Sequence, residues 1–242
     1  MQHWLIIGAS GGIGWALVQQ LVLQGHRVSA ISRQHLNAEH AEVAASYQRL
    51  TWYQLASAEE AGAPGFLAQI FSEKVDAVML CQGWLHGNGL LPEKSIKQLS
   101  RTALQQSYEI NVIHPALYLQ ILLPWLYKQE NVKVAVLSAK VGSITDNQLG
   151  GWYSYRMAKA ALNMLVKTTS IELARYNKTA ALISLHPGTT DSALSAPFQR
   201  NLPEGQLRSA DESALKLIAV LEQLTPAQSG ALVNWDGAVL PY

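Results

Sequence analysis

The sequence predicts one α/β domain: a doubly wound parallel sheet of seven strands with helices on both faces. Three observations predict it. Short apolar runs alternate with longer helical patterns along the whole chain, the order a parallel sheet requires. Runs such as Ala77–Leu80 are apolar without alternation, as strands covered on both faces must be. A glycine-rich turn then leads from the first run straight into a helical pattern, Gly8-Ala9-Ser10-Gly11-Gly12-Ile13-Gly14. At 242 residues and 49% hydrophobic content the chain can bury the core of such a domain, and no repeat or linker divides it.

The expected strands are 5–8, 27–31, 50–55, 75–81, 132–138, 180–185 and 231–234. Helical patterns fill the intervals. The first, 11–24, is closed by Gly25 as its C-terminal glycine, and a weaker one covers 34–46. A third, 58–73, is interrupted at 62–65. A long pair follows over 94–130, with Pro115 and Pro124 as expected kinks, and 152–176 and 211–224 complete the set. Only 189–210 lacks periodicity. Its Pro197, Pro203 and Gly205 mark a long loop, read as a lid over a site or as a surface insertion.

A formal net charge of +1 with 14% charged residues leaves no basic stripe for nucleic acid. The apolar stretch at 116–127 is too short to span a bilayer, and the first ten residues lack the basic start of a signal peptide. The single cysteine, Cys81, excludes an internal disulfide and suits a reducing compartment, so a cytoplasmic protein is expected. The seven histidines show no metal-ligand spacing.

The glycine turn carries the first chemical reading. Residues without Cβ let a pyrophosphate approach the N-terminus of the following helix, where free N–H groups and the dipole favour anions. In this architecture the end of the second strand faces the adenosine ribose, and an acidic residue there would bind both ribose hydroxyls of NAD. Ser32 and Arg33 stand there instead. A guanidinium pairs with a 2′-phosphate that a carboxylate would repel, so NADP(H) is expected over NAD(H). Tyr155 and Lys159, four residues apart in a helical pattern, share one face. A phenol titrates near 10, and a neighbouring ammonium, with an oxidised nicotinamide nearby, is expected to lower that value toward general acid–base work. Asn111 lies inside a helical run where Asn is a poor fit, which calls either for a specific role or for a helix-end cap beside Pro115.

These motifs, in this order, resemble the short-chain dehydrogenase/reductase family over nearly the whole chain. Gly8 to Gly14 match the glycine motif, Tyr155 and Lys159 with Ala160-Ala161-Leu162-Asn163 the active-site helix, and Asn111 the proton-relay asparagine. His186-Pro187-Gly188-Thr189-Thr190-Asp191-Ser192 matches the Pro-Gly turn bordering the nicotinamide. The block Ser143-Ile144, Asp146-Asn147 and Gly150-Gly151-Trp152-Tyr153-Ser154-Tyr155-Arg156 is similar to a subgroup that includes the C-factor signalling proteins and the sniffer-type carbonyl reductases.

The resemblance implies a Rossmann-like fold and hydride transfer between NADP(H) and a small carbonyl or alcohol. Tyr155 is then the general acid/base, aided by Lys159 and by Asn111 through a water. Cofactor contacts are expected from Gly8, Ser10, Gly11, Gly12, Ile13, Gly14, Ser32, Arg33, Cys81, Gln82, Gly83, Asn111, Tyr155, Lys159, Pro187, Gly188, Thr189 and Ser192. A homodimer or higher homo-oligomer through the helices at 94–130 and 152–176 is expected as well.

Three departures stand out. The family's catalytic serine position is Ala139, leaving Ser138 or Ser143 to polarise the carbonyl. The usual Asn-Asn-Ala-Gly reads Leu80-Cys81-Gln82-Gly83, and no acid follows the third strand at Leu55-Ala56. A nucleotide-binding signalling protein with little catalysis is the competing reading. His86, Trp84, Trp152 and Tyr153 are read either as lining the pocket or as ordinary loop and core residues.

Overall fold

A computed structural model describes residues 1–36 and 38–242; the side chains of Ala38, Glu39 and Asn201 also lie outside the description. Six parallel strands arise where the apolar runs predict them: β1 (His3–Ile7), β2 (Arg27–Ser32), β3 (Leu50–Gln54), β4 (Ala77–Leu80), β5 (Lys133–Leu137) and β6 (Ala181–His186). Within the segment 189–210, β7 (Thr189–Thr190) and β8 (Leu207–Arg208) pair in parallel as a separate two-stranded ribbon. The chain ends with β9 (Leu232–Asn234) and β10 (Val239–Leu240). The main sheet runs β10-β9-β6-β5-β4-β1-β2-β3. It therefore has eight strands rather than the seven expected. The eighth, β10, is a two-residue antiparallel edge that returns from β9, too short to leave a periodic signal.

The helices are α1 (Gly12–Leu23), α2 (Ala38–Ala45), α3 (Ala63–Ile70), α4 (Arg101–Tyr108), α5 (His114–Leu126), α6 (Tyr153–Tyr176) and α7 (Ala210–Gln223). The expected helix 34–46 is shorter, and Asn37 within it lies outside the described residues. The interruption at 62–65 is the start of α3, where Pro64 occupies the first turn and needs no backbone donor. No break separates α4 from α5; one π-helical turn, Glu109–Ile113, joins them. Pro115 comes just after the π turn in this continuous helix and offers it no backbone donor, and Pro124 lies inside α5 near its end.

Strand side chains alternate between two cores. Leu5, Ile7, Val78, Leu80, Val134 and Val136 meet α3, α5 and α6 on one face. Trp4, Ile6, Val28, Met79, Ala135 and Ile183 meet α1 and α7 on the other. Both faces are thus sealed, and the carboxyl ends of β1, β4, β5 and β6 are left to face one cavity. The order reverses at β1, whose following turn goes to one side while that of β4 goes to the other, opening a crevice between them.

Two glycines make this geometry. At Gly14 a Cβ would drive into the carbonyl of Gly8, so the first turn closes only around a bare backbone. At Gly142, in the short turn Lys140–Gly142 after β5, a Cβ would stand 2.8 Å from both the carbonyl carbon and the Cβ of Lys159. The turn and α6 are therefore in direct backbone contact. Gly142→Ala is expected to lower stability by about 1–3 kcal/mol, the usual range for overpacking, in urea denaturation. An unchanged midpoint would mean that α6 is free to shift.

Candidate active site

The carboxyl ends of the strands surround a cavity of about 880 Å³. The glycine turn contributes Gly11, Gly12, Ile13 and Gly14, and the end of β4 contributes Cys81, Gln82 and Gly83. Ser138 and Ala139 line it after β5, Tyr155 and Lys159 from α6, and Pro187, Gly188, Thr189 and Ser192 after β6. Five segments spread over the sequence thus share one space. Gly8 and Ser10 belong to the adjoining turn, and Ser32 and Arg33 stand beyond it at the end of β2. There the buried Ser32 hydroxyl donates to Ser10 Oγ at 2.8 Å while Arg33 is exposed.

Tyr155 lies in the first turn of α6 and is 8% exposed, packed with Leu85 and Ala139 and flanked by Val141, Trp152, Leu194 and Phe198. Burial pushes its phenol well above the ordinary value. Burial thus acts against the lowering expected from Lys159 and an oxidised nicotinamide. Lys159 is one turn along, its Nζ 5.7 Å from the ring centroid, but the ammonium is turned away to donate to the Leu137 carbonyl at 3.0 Å. It is itself 2% exposed, and burial brings it down to about 7. Desolvation therefore governs both groups, and each favours its neutral form.

Asn111 is fully buried in the π turn, where its side chain is held at both ends. Oδ1 accepts from the Trp84 backbone N–H at 3.0 Å, and Nδ2 donates to the carbonyls of Trp84 and Ser107 at 2.8 and 3.0 Å. A Cβ added at Gly83 would lie 3.8 Å from Asn111 Oδ1 and 3.9 Å from Lys159 Nζ, so this glycine occupies the gap between them. Asn111 is thus neither a helix-end cap nor a lining residue of the cavity.

The two candidate serines have other partners. Ser138 Oγ donates to Asn163 Oδ1 at 2.7 Å. Ser143 Oγ accepts from the Asp146 N–H at 3.1 Å, and the residue is buried outside the cavity lining. Beside Tyr155 the wall is Ala139. Burial raises the Cys81 thiol to about 12, which makes it an inert lining group. His186, at the end of β6, is brought down to about 4 by burial and then by Lys140, Arg208 and Lys159. Its Nδ1 and the Oε1 of Gln82 are buried without hydrogen-bond partners among the described residues.

The expected aromatic lining is present in part: Trp84 and Trp152 face the cavity and Tyr153 does not. Leu194 and Phe198 leave no signal in the sequence, because residues 189–210 lack the periodicity that would place a side chain on one face. Phe198 lies in a 3-10 turn of that segment, 5.0 Å from the Trp152 ring and 5.7 Å from His86. His86 Nε2 lies 3.1 Å from the carbonyl oxygens of Ala193 and Leu194, joining the loop after β4 to this flap. The flap is clasped at its two ends by β7 and β8. Among the described residues no helix is long and apolar enough to cross a membrane, and no three His, Cys, Asp or Glu side chains gather as metal ligands do.

Comparison with known proteins identifies the arrangement. The chain is 30% identical to 1-hydroxy-2-glutathionyl-2-methyl-3-butene dehydrogenase of Rhodococcus sp., over 98% of each chain. It is 31% identical to the C-signal of Myxococcus xanthus, over 57% of this chain and 78% of that protein. The NADPH-bound carbonyl reductase from chicken fatty liver superposes with a TM-score of 0.84 at 26% identity, covering 100% of this chain and 99% of that one. The family model described as short chain dehydrogenase matches residues 2–203, and the chain belongs to that family of oxidoreductases.

Proposed function

We propose that this protein reduces a carbonyl compound with NADPH, or runs the reverse reaction, with Tyr155 as the proton donor. One observation carries the reading: a buried phenol and a buried amine, one helical turn apart, open onto the cavity that also receives the glycine turn. An ionisable pair of this cost, placed in a large cleft, points to chemistry.

The chain's residues fit a dinucleotide. The bare backbone at Gly11, Gly12 and Gly14 leaves room for a pyrophosphate at the N-terminus of α1, and Gln82 Oε1 and His186 Nδ1 lack partners among the described residues along the same wall. Ser10, Ser32 and Arg33 offer hydroxyls and a guanidinium to a 2′-phosphate, and no carboxylate stands among them. The chicken carbonyl reductase holds NADPH, in agreement with that preference. Bound there, the dinucleotide supplies the hydride. Tyr155, neutral because it is buried, donates its proton to the carbonyl oxygen. Lys159 stabilises the phenolate so formed and offers its remaining hydrogens to a ribose. Asn111, with both ends of its amide engaged, holds Trp84 in place, and through it the adjoining Gly83 beside Lys159. Leu85, Trp152, Leu194 and Phe198 enclose the substrate, and the clasped flap 189–210 acts as a lid.

A signalling protein with vestigial catalysis is favoured by two features, the missing hydroxyl at Ala139 and the altered segment Leu80-Cys81-Gln82. NADPH oxidation against a panel of aldehydes, ketones and quinones separates the two readings. Turnover is expected, with Tyr155→Phe slowing kcat by about 10²-fold or more; NADPH binding with no turnover by the wild type would decide for signalling. Arg33→Ala is expected to weaken NADPH binding about tenfold or more and leave NADH binding unchanged, by fluorescence titration. An unaltered preference would place the 2′-phosphate elsewhere.

Lys159 gives a prediction on stability. Its folded-state value of about 7 lies below that of the unfolded chain, about 10, so between these pH values the unfolded state binds more protons. Stability must then rise with pH across that window. In urea denaturation the wild type is expected to gain on Lys159→Met from pH 7 to pH 9, and the difference to be flat below 7. A constant difference throughout would show that the amine is not desolvated.

A further inference from the structure

We infer that Glu93 is a positioning residue for Tyr155, supplying from a distant segment the N-terminal cap that α6 lacks. The inference rests on the role of Tyr155 proposed above.

A helix of 24 residues begins with N–H groups that need acceptors, and the residue before it ordinarily provides one through a Ser, Thr, Asp or Asn side chain. Here that residue is Trp152, which offers none. The backbone reaches it through three successive left-handed residues, Gly150, Gly151 and Trp152, with φ of 63°, 66° and 51°. A tryptophan in that region is strained and persists only when its surroundings hold it.

Glu93 meets both needs. Its backbone carbonyl accepts the Trp152 N–H at 2.5 Å, and its Oε2 accepts the Ser154 N–H, in the second position of the helix, at 3.2 Å. The residue is 2% exposed, and Oε1 has no partner among the described residues. A buried carboxyl so sparsely paired is costly by itself, and what it faces is the positive end of the α6 dipole. Glu93 does not itself line the cavity.

Tyr155 is the next residue after Ser154, so the amide that Glu93 holds is the one adjacent to the proposed acid. The same residue is gripped from its other side: the Ser154 carbonyl accepts from Ser107 Oγ at 3.1 Å, and the Ser107 carbonyl in turn accepts from Asn111 Nδ2. Glu93, Ser154, Ser107 and Asn111 form one continuous hydrogen-bonded path beneath the cavity. Without Glu93 the first turn of α6 loses its cap, and Tyr155 moves with it.

Two measurements on the whole 242-residue chain test this. Hydrogen exchange of the 152–156 amides, without cofactor, reads the cap directly and is independent of any chemistry. Glu93→Ala is expected to raise exchange there and nowhere else. Glu93→Gln, which keeps an acceptor of the same length, is expected to restore protection. Steady-state kinetics with NADPH and a reducible carbonyl reads the consequence: kcat about ten- to a hundredfold lower for Glu93→Ala, KM for NADPH within about twofold, and rescue by Glu93→Gln. Should Glu93→Ala fail to fold, Glu93→Asp, one methylene too short to reach Ser154, is expected to give the same pair of losses. Unchanged exchange at 152–156, or exchange and KM rising together across the protein, overturns the inference. A wild type that does not turn over leaves the exchange result standing and refutes the reading of Tyr155 instead.

Discussion

The site depends on how α6 is seated on the carboxyl end of β5. Three contacts fix it within a few residues: the bare backbone of Gly142 against Lys159, the Lys159 ammonium on the Leu137 carbonyl, and the Ser138 hydroxyl on Asn163. The first sets the separation of the two elements, and the other two set the helix's rotation. One residue of rotation, about 100°, would turn Tyr155 from the cavity into the core or out to solvent. The polar contacts do not supply the binding free energy of the helix. That comes from Leu162, Val166 and Leu173, each exposed by 1% or less against the sheet and each contributing about 1.5–3 kcal/mol. Packing holds α6 down, and the buried polar groups dictate its one acceptable orientation.

A second constraint enters from the opposite side. An asparagine amide inside an α-helix competes with the backbone and destabilises it. The π turn at Glu109–Ile113 resolves the conflict, because there the Ser107 carbonyl accepts from the Asn111 side chain. With Oδ1 and Nδ2 both engaged by Trp84, the amide splices the loop after β4 to the α4–α5 junction. The loop carrying Gly83 is thus located by a helix residue that never borders the cavity, which is why Asn111 is essential to the geometry yet absent from the lining.

What the sequence made legible follows from the range of each signal. Apolar runs located the six central parallel strands and β9 to within a few residues, because burial on both faces writes itself locally. The Tyr155–Lys159 spacing placed both on one face for the same reason. Spacing says nothing of dielectric, however, so the burial that raises the phenol was not legible: the apolar wall of Leu85, Ala139 and Phe198 is assembled from segments far apart in the chain. The β7–β8 ribbon and β10 were hidden because two-residue strands carry no period. Glu93 was hidden more deeply. Its partner is 61 residues away, and a capping acceptor is recognisable in sequence only when it sits beside the helix it caps.

Ala139 links these observations. A hydroxyl at that position would have offered the carbonyl a second donor and would have partly solvated the neighbouring phenol. Its methyl does neither: it removes the donor and completes the apolar wall that raises Tyr155. On the reading proposed above, the two effects act on different directions of the reaction. Carbonyl reduction begins from the neutral phenol, the form burial favours, and loses only the second donor, about 10²- to 10³-fold by analogy with other oxyanion sites. Alcohol oxidation must begin from the phenolate, the minor form at neutral pH, and meets both penalties at the start. A site with alanine here is therefore not a blank version of one with serine. It is a site whose resting protonation state already matches the proton that carbonyl reduction consumes.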